Sequence, residues 1–254
     1  MNLVMASRRL TSMGTTLSCL VATLALNPLL QADETAPGNS VPPEACPLTP
    51  IPKVYRATGK TLPLADEKNC TIVIGANATE PEKYAAGRLQ TLIERRYRRK
   101  IPVFPENRVP ATSRQVILLG QRSTNSLLDK LCREQQFDLS PESPGHDGFI
   151  IEMREDPNRQ VIMVGGSNPR GVIYGAEAFF DLLRRETQDV VFPVATVRDW
   201  PTIAWRAFNQ NCPDNYLQPG VLDAYVHARF NYLDLRDGPP PMRGHFGTPP
   251  DWPL

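Results

Sequence analysis

"VIMVGGSNPRGVIYGAEAFFDLLRR", Val161 to Arg185, decides the fold. An apolar, β-branched run meets Gly165 and Gly166, then a polar turn, then residues at helical spacing. That order predicts a buried strand, a sharp turn and a helix from about Pro169 to Arg185. Helix N-termini attract anions, so such a turn raises the question of a phosphate site. The residues argue against one. A P-loop needs a Lys and a Ser or Thr after its last glycine, and here Val172 and Ile173 follow Gly171. Gly165, Gly166 and Gly171 also lack the G-x-G-x-x-G spacing. The turn moreover closes a domain instead of opening a βαβ unit. The expectation is structural: the glycines permit the turn, Asn168 caps and Pro169 begins the helix.

Working outward, "GFIIEM" and "QVIMVG" flank the polar "REDPNR", which predicts a β-hairpin leading into that turn. "QVILLG", Gln115 to Gly120, and "TIVIG", Thr71 to Gly75, read as buried strands. "IPVF" is a short strand, and Thr61 to Leu64 an edge strand, because Pro63 cannot donate to a central ladder. A helix is expected from Pro81 to about Tyr97, capped near Thr79, with Tyr84, Ala85, Leu89, Leu92 and Ile93 at helical spacing. Its closing "ERRYRRK" complements the helix dipole. A second helix is expected from Asn125 to about Gln136, with Leu127, Leu128 and Leu131 on one face. "VVFPVATV" is a last strand. The sum is an α+β domain over residues 56–198, a mixed sheet with its helices on one face, since an apolar stripe must bury against something.

The flanks differ. Arg8 and Arg9 precede an apolar Leu17–Leu30, and Ala32 offers a small residue for cleavage, so residues 1–32 read as a signal peptide. The stretch is shorter than the ~20 residues a membrane span needs. Export to the periplasm or the exterior follows, with membrane contact only through that segment. Residues 33–55 form a proline-rich leader without periodicity. Cys46, Cys70, Cys132 and Cys212 would then meet an oxidising compartment, with three possible pairings. His146, His227 and His245 are scattered and are expected at the surface or singly bonded. No metal ligand set or cofactor motif is expected. The net charge of +1 gives no field for nucleic acid, and no nucleotide site is expected.

Residues from about Gly59 to Arg206 resemble the accessory domain ahead of the catalytic barrel in bacterial beta-hexosaminidases, with relatives in alpha-glucuronidases. The resemblance is carried by "TIVIGANATEPEKYAAGRLQTLIERRYRRKIPV", "QVILLG" and the hairpin, turn and helix quoted above. "RDWPTIAWRAF" is similar to the lead-in to the hexosaminidase barrel: Asp199, Pro201 and Arg206 match, while Ala207 stands for a Gly and Asn211 for an Asp. "VLDAYVHARFNYLDLRDG" resembles the first barrel helix and second strand, with Asn231 matching and Asp234 and Arg236 replacing a His-rich continuation.

The resemblance implies that Arg206 binds substrate through sugar hydroxyls. The alternative for Arg206 is a structural arginine at a junction, paired with a carboxylate such as Asp199. Residues 199–254 are expected to be the start of a (β/α)8 barrel, too short to close eight strands. Asp234 and Asp237 fail as a catalytic pair, because residues three apart on a strand face opposite ways. No catalytic residue is therefore assigned. The expected function is the non-catalytic N-terminal portion of an exported glycoside hydrolase. Its complete form would cleave glycosidic bonds of an oligosaccharide or polysaccharide. A stand-alone carbohydrate-binding or interaction module is the alternative, with Trp200, Trp205, Tyr216, Tyr225 or Tyr232 as stacking residues.

Overall fold

The computed structural model describes residues 45–156, 159–209 and 218–234. The export segment, residues 33–44 of the leader, Asn211, Cys212, Tyr216, Arg236, Asp237 and His245 lie outside the described residues.

An eight-stranded mixed sheet dominates. The strands are β1 (Val54–Pro63), β2 (Cys70–Ile74), β3 (Val103–Pro105), β4 (Gln115–Gly120), β5 (Phe149–Asp156), β6 (Arg159–Gly166), β7 (Arg184–Glu186) and β8 (Asp189–Asp199). Their order is β1-β8-β5-β6-β4-β2-β3, with β7 also paired to β8. β6, β4, β2 and β3 are parallel, while β5, β8 and β1 run antiparallel. The helices are α1 (Glu80–Tyr97), α2 (Ser126–Gln135) and α3 (Pro169–Leu182).

The alternation of side chains sorts the helices. Ile72, Ile117, Leu119, Ile162, Val164, Phe149 and Ile151 face one core, which Ala85, Ala86, Leu89 and Ile93 of α1 and most of α3 complete. Their chain neighbours Val73, Val116, Leu118, Met163 and Ile150 face the other, under Leu128 and Cys132 of α2. The period of two along each strand therefore builds two cores from one set of buried runs. The mixed sheet and its helices are as expected, with one correction. α1 and α3 share a face, but α2 covers the opposite one.

Other differences have local causes. β1 does lie at the edge, but it starts at Val54 and continues past a register shift between Ala57 and Thr61. Gly59 supplies the positive φ of 75° inside that shift. Leu48 is 1% exposed and joins the main core, so the chain expected as leader packs against the domain from at least that point. On α2 the buried positions are Leu128 and Cys132, while Leu127 is exposed, because residues four apart share a face better than neighbours do. α3 stops at Leu182, three residues short of the expected end, since Arg184 opens the β7–β8 hairpin. Cys46, Cys70 and Cys132 are free thiols. Burial pushes the Cys70 thiol up to about 12 and the Cys132 thiol up to about 11.

After β8 the chain forms β9 (Ala207–Asn209), α4 (Val221–His227) and β10 (Tyr232–Asp234). β9 and β10 pair in parallel, as a strand–helix–strand connection demands.

Candidate functional site

The turn quoted at the outset is a capping and packing device. Asn168 accepts a hydrogen bond from the Gly171 N–H at 2.9 Å, and Pro169 follows at the first helical position. A methyl on Gly166 would stand 2.3 Å from the Val172 nitrogen, and one on Gly171 2.1 Å from the Gly148 carbonyl oxygen. Close backbone approach therefore requires these glycines.

A second place where open α/β sheets hold ligands is the crevice between parallel strands whose following helices leave to opposite faces. Here that crevice lies between β2 and β4, and it is filled. The Glu82 carboxylate, fully buried, accepts hydrogen bonds from the Thr79 N–H (2.7 Å) and hydroxyl (2.9 Å), and from the Gln121 N–H (3.0 Å). The Thr124 hydroxyl also donates to it. A carboxylate of the chain itself thus sits at the N-terminus of α1, where a bound anion would otherwise go. Sequence pattern shows the Thr79–Glu82 capping spacing but not the contacts from the β4–α2 loop.

The polar groups that converge lie at the junction between the sheet domain and the β9–α4–β10 unit. Their centre is Asp147, whose side chain is fully buried in the loop before β5. Ser167 at the end of β6 holds that loop: its hydroxyl donates to the Gly145 carbonyl at 2.7 Å and accepts from the Gly148 N–H at 3.0 Å. Asp147 Oδ1 accepts from Asn168 Nδ2 (2.9 Å) and Arg170 Nε (3.0 Å). Its Oδ2 accepts from Arg206 Nη2 and Asn231 Nδ2, both at 3.3 Å. Burial pushes the Asp147 carboxyl up, but the Asn168 hydrogen bond and the cations Arg170 and Arg206, with His146, outweigh it and hold it below the usual carboxylate range.

Arg206 is the residue for which the resemblance implies substrate binding. Its Nε donates to the Arg229 carbonyl (2.7 Å), and Nη1 to the carbonyls of Ile203 (2.8 Å) and Ala204 (3.3 Å). Nη2 donates to Asp147 and to the Tyr174 hydroxyl at 3.3 Å. The guanidinium also lies 5.5 Å from the Tyr174 ring centroid. All five of its N–H groups are engaged within the chain. Its carboxylate partner is Asp147, while Asp199 accepts from Arg229 Nη1 and from the Lys53 N–H at 3.2 Å. Asn231, the other residue matched to the resembled family, bonds the Arg206 N–H at 2.8 Å and the Ala204 carbonyl at 2.7 Å. Arg206 and Asn231 thereby fix the starts of β9 and β10 to each other and to the sheet domain.

A second ionic cluster ties α4 to the α1–α3 face. Glu177 of α3 is buried and accepts from Arg88 of α1; its other oxygen lies 2.8 Å from His227 Nδ1. His227 Nε2 lies 3.5 Å from Asp181, and Arg88 Nη1 lies 3.0 Å from Asp223 of α4. His227 is exposed and hydrogen-bonded to Glu177, within the expectation of a surface or singly bonded histidine, and it also lies within ion-pair reach of Asp181; Glu177 inside an apolar helix carried no signal of its partners.

A cleft of about 280 Å³ opens beside the junction, lined by Lys53, Phe149, Tyr174, Trp200, Arg206 and Arg229 among others. Lys53 Nζ donates to Thr202 Oγ1 at 2.7 Å and lies 5.1 Å from the Trp200 ring centroid. Trp205 nearby is 54% exposed. The carboxylates of this region, Asp147, Asp199 and Glu177, each carry a cation, so the arrangement holds elements together and presents no carboxylate free for proton transfer among them. Among the described residues, no group of three His, Cys, Asp or Glu side chains is placed to hold a metal ion. No described helix is long and apolar enough to cross a membrane.

Fold and junction define an α/β domain that passes directly, through a buried ionic joint, into a parallel strand–helix–strand unit. The chain belongs to the glycosyl hydrolase family 20 domain 2 family, whose model matches residues 45–200. Solved structures with a similar fold include CpGH84B, at 13% identity and a TM-score of 0.52, covering 73% of this chain and 29% of that one. Others are the GH20 exo beta-N-acetylglucosaminidase from Vibrio harveyi and the N-acetyl-beta-hexosaminidase of Streptomyces plicatus. The first has 12% identity and a TM-score of 0.49, over 75% of this chain and 25% of that one. The second has 14% and 0.49, over 76% and 35%. The chain therefore spans about a quarter to a third of the length of these proteins. No curated protein matches it.

Proposed function

We propose that this chain is the non-catalytic N-terminal portion of an exported glycoside hydrolase. Its α/β domain orients the start of a (β/α)8 barrel that follows β8, and the complete enzyme hydrolyses glycosidic bonds of an oligosaccharide or polysaccharide. The observation that carries this is the joint itself: Asp147 of the sheet domain bonds Arg206 and Asn231, which open the two parallel strands of the following unit. Family membership supports the glycoside hydrolase setting. Arg206 acts in this reading as a positioning residue. For it to bind substrate in the complete enzyme, a sugar hydroxyl must displace one of the carbonyls it now holds. Export rests on Arg8, Arg9 and the apolar Leu17–Leu30.

Incubating the purified chain with a panel of chromogenic glycosides tests the catalytic half of the proposal. No turnover above buffer is expected, and sustained turnover overturns it. Export is tested by fusing residues 1–32 to a reporter that is active only after secretion. The exposed Trp205 and the Trp200 cleft favour one second reading, a stand-alone carbohydrate-binding module. Saturable binding of a glycan at millimolar concentration, lost in Trp200→Ala, would support it.

A further inference from the structure

α4 meets the sheet domain through Val226, which packs against the main core, and through a set of ionisable groups. Leu222 on α4 is 51% exposed, and His227 closes the helix against α3. The imidazole bridges Glu177 Oε2 at 2.8 Å and Asp181 Oδ2 at 3.5 Å, so both ring nitrogens face carboxylates. Only the imidazolium has an N–H for each. The surroundings decide how that matters. From α1, Arg88 is paired to Glu177 and Asp223, and Arg95 and Tyr84 line the same cleft as His227. Arg96 of α1 and Arg229 beyond α4 act on Asp181 from further away. Three carboxylates, Glu177, Asp181 and Asp223, therefore face Arg88 and His227 at the contact. When the imidazole is neutral, Asp181 loses its nearest cation and one ring nitrogen points an unshared pair at a carboxylate.

We propose that His227 is a proton-dependent clasp: as imidazolium it holds α4, and with it the β9–α4–β10 unit, against α3, and on deprotonation the contact loosens. The Glu177 hydrogen bond raises the His227 pKa above its ordinary value against the opposing effect of burial, with Asp181 adding to the rise. The sign follows. A group whose docked pKa is raised contributes fully below the undocked value of about 6.5, and the contribution fades as pH rises through the docked value. Asp181 works in the same direction, since burial holds its carboxyl above the usual range despite His227.

The full chain tests this by hydrogen exchange read by mass spectrometry, between pH 6 and 8.5 after correction for intrinsic rates. Protection over residues 221–234 should fall about tenfold for each unit by which docking raises the His227 pKa, while protection of β4 stays constant. In His227→Gln, which keeps a donor for Glu177 but does not titrate, that pH dependence should vanish. A histidine NMR titration of the unaltered chain provides a reading that does not depend on the variant folding: the His227 resonance should titrate above 6.5. Equal protection at both pH values, a pH dependence that survives in His227→Gln, or a His227 titration at or below 6.5 would each overturn the proposal.

Discussion

Gly171 and Gly87 show how differently one residue type acts at two sites. A methyl at 171 meets the Gly148 carbonyl oxygen at 2.1 Å, and neither backbone can move without disturbing the Asp147 loop. Gly171→Ala should therefore lower stability by at least about 1–3 kcal/mol, the range for forced overpacking, in urea denaturation. Gly87 lies on the exposed side of α1 with nothing within 4 Å of an added methyl. Gly87→Ala should raise stability by up to about 1 kcal/mol through helix propensity alone. Both glycines sit at helical spacing in the sequence, and nothing in the pattern separates them. The difference is one of contact across the fold.

At the level of elements, strand burial was readable and helix facing was only partly so. β4 is buried at all six positions, as the apolar run Val116–Leu119 implies for a central strand, with Gln115 buried at its start on hydrogen bonds to Ala65, Pro63 and Gln160. α2 is the instructive case. Three leucines mark an apolar helix, yet Leu127 points outward and Leu128 with Cys132 points into the second core. Leu128→Ala should cost about 2–5 kcal/mol in chemical denaturation, the range for a buried leucine. Leu127→Ala should stay within about 0.5 kcal/mol. α3 is buried on nearly every side because the sheet, α1 and α4 all pack on it, which explains an apolar helix that still carries Glu177 inward toward Arg88 and His227.

Across the whole molecule, the joint is where the sheet domain and the following unit depend on each other. Asp147→Ala leaves Arg170 and Arg206 without their shared carboxylate. The expected loss is about 3 kcal/mol, the lower end for a broken buried pair because neither arginine is fully buried. The pH dependence follows from the lowered pKa of Asp147. Its contribution is complete above the unfolded value of about 3.9 and is lost as pH falls toward the lower folded value. The stability gap between the unaltered chain and Asp147→Ala should therefore be full at pH 7 and narrow toward pH 3. Denaturation curves at the two pH values measure it, and an unchanged gap would show that Asp147 stabilises without its charge.

The chain order of the longer strands and helices, the β5–β6 hairpin and the caps at Thr79 and Asn168 were determined by the sequence alone, because each depends on residues within a few positions of one another. So was the weakness of the glycine-rich turn as a phosphate site, which follows from the missing lysine. Only the tertiary structure decided that α2 takes the opposite face, that Leu48 belongs to the core and that Glu82 fills the crevice between β2 and β4. The same holds for the gathering of Asp147, Arg206 and Asn231, whose positions span 84 residues. Long-range pairing of buried charges leaves no periodic trace in a chain, since it is set by where the packed elements bring each side chain and not by spacing.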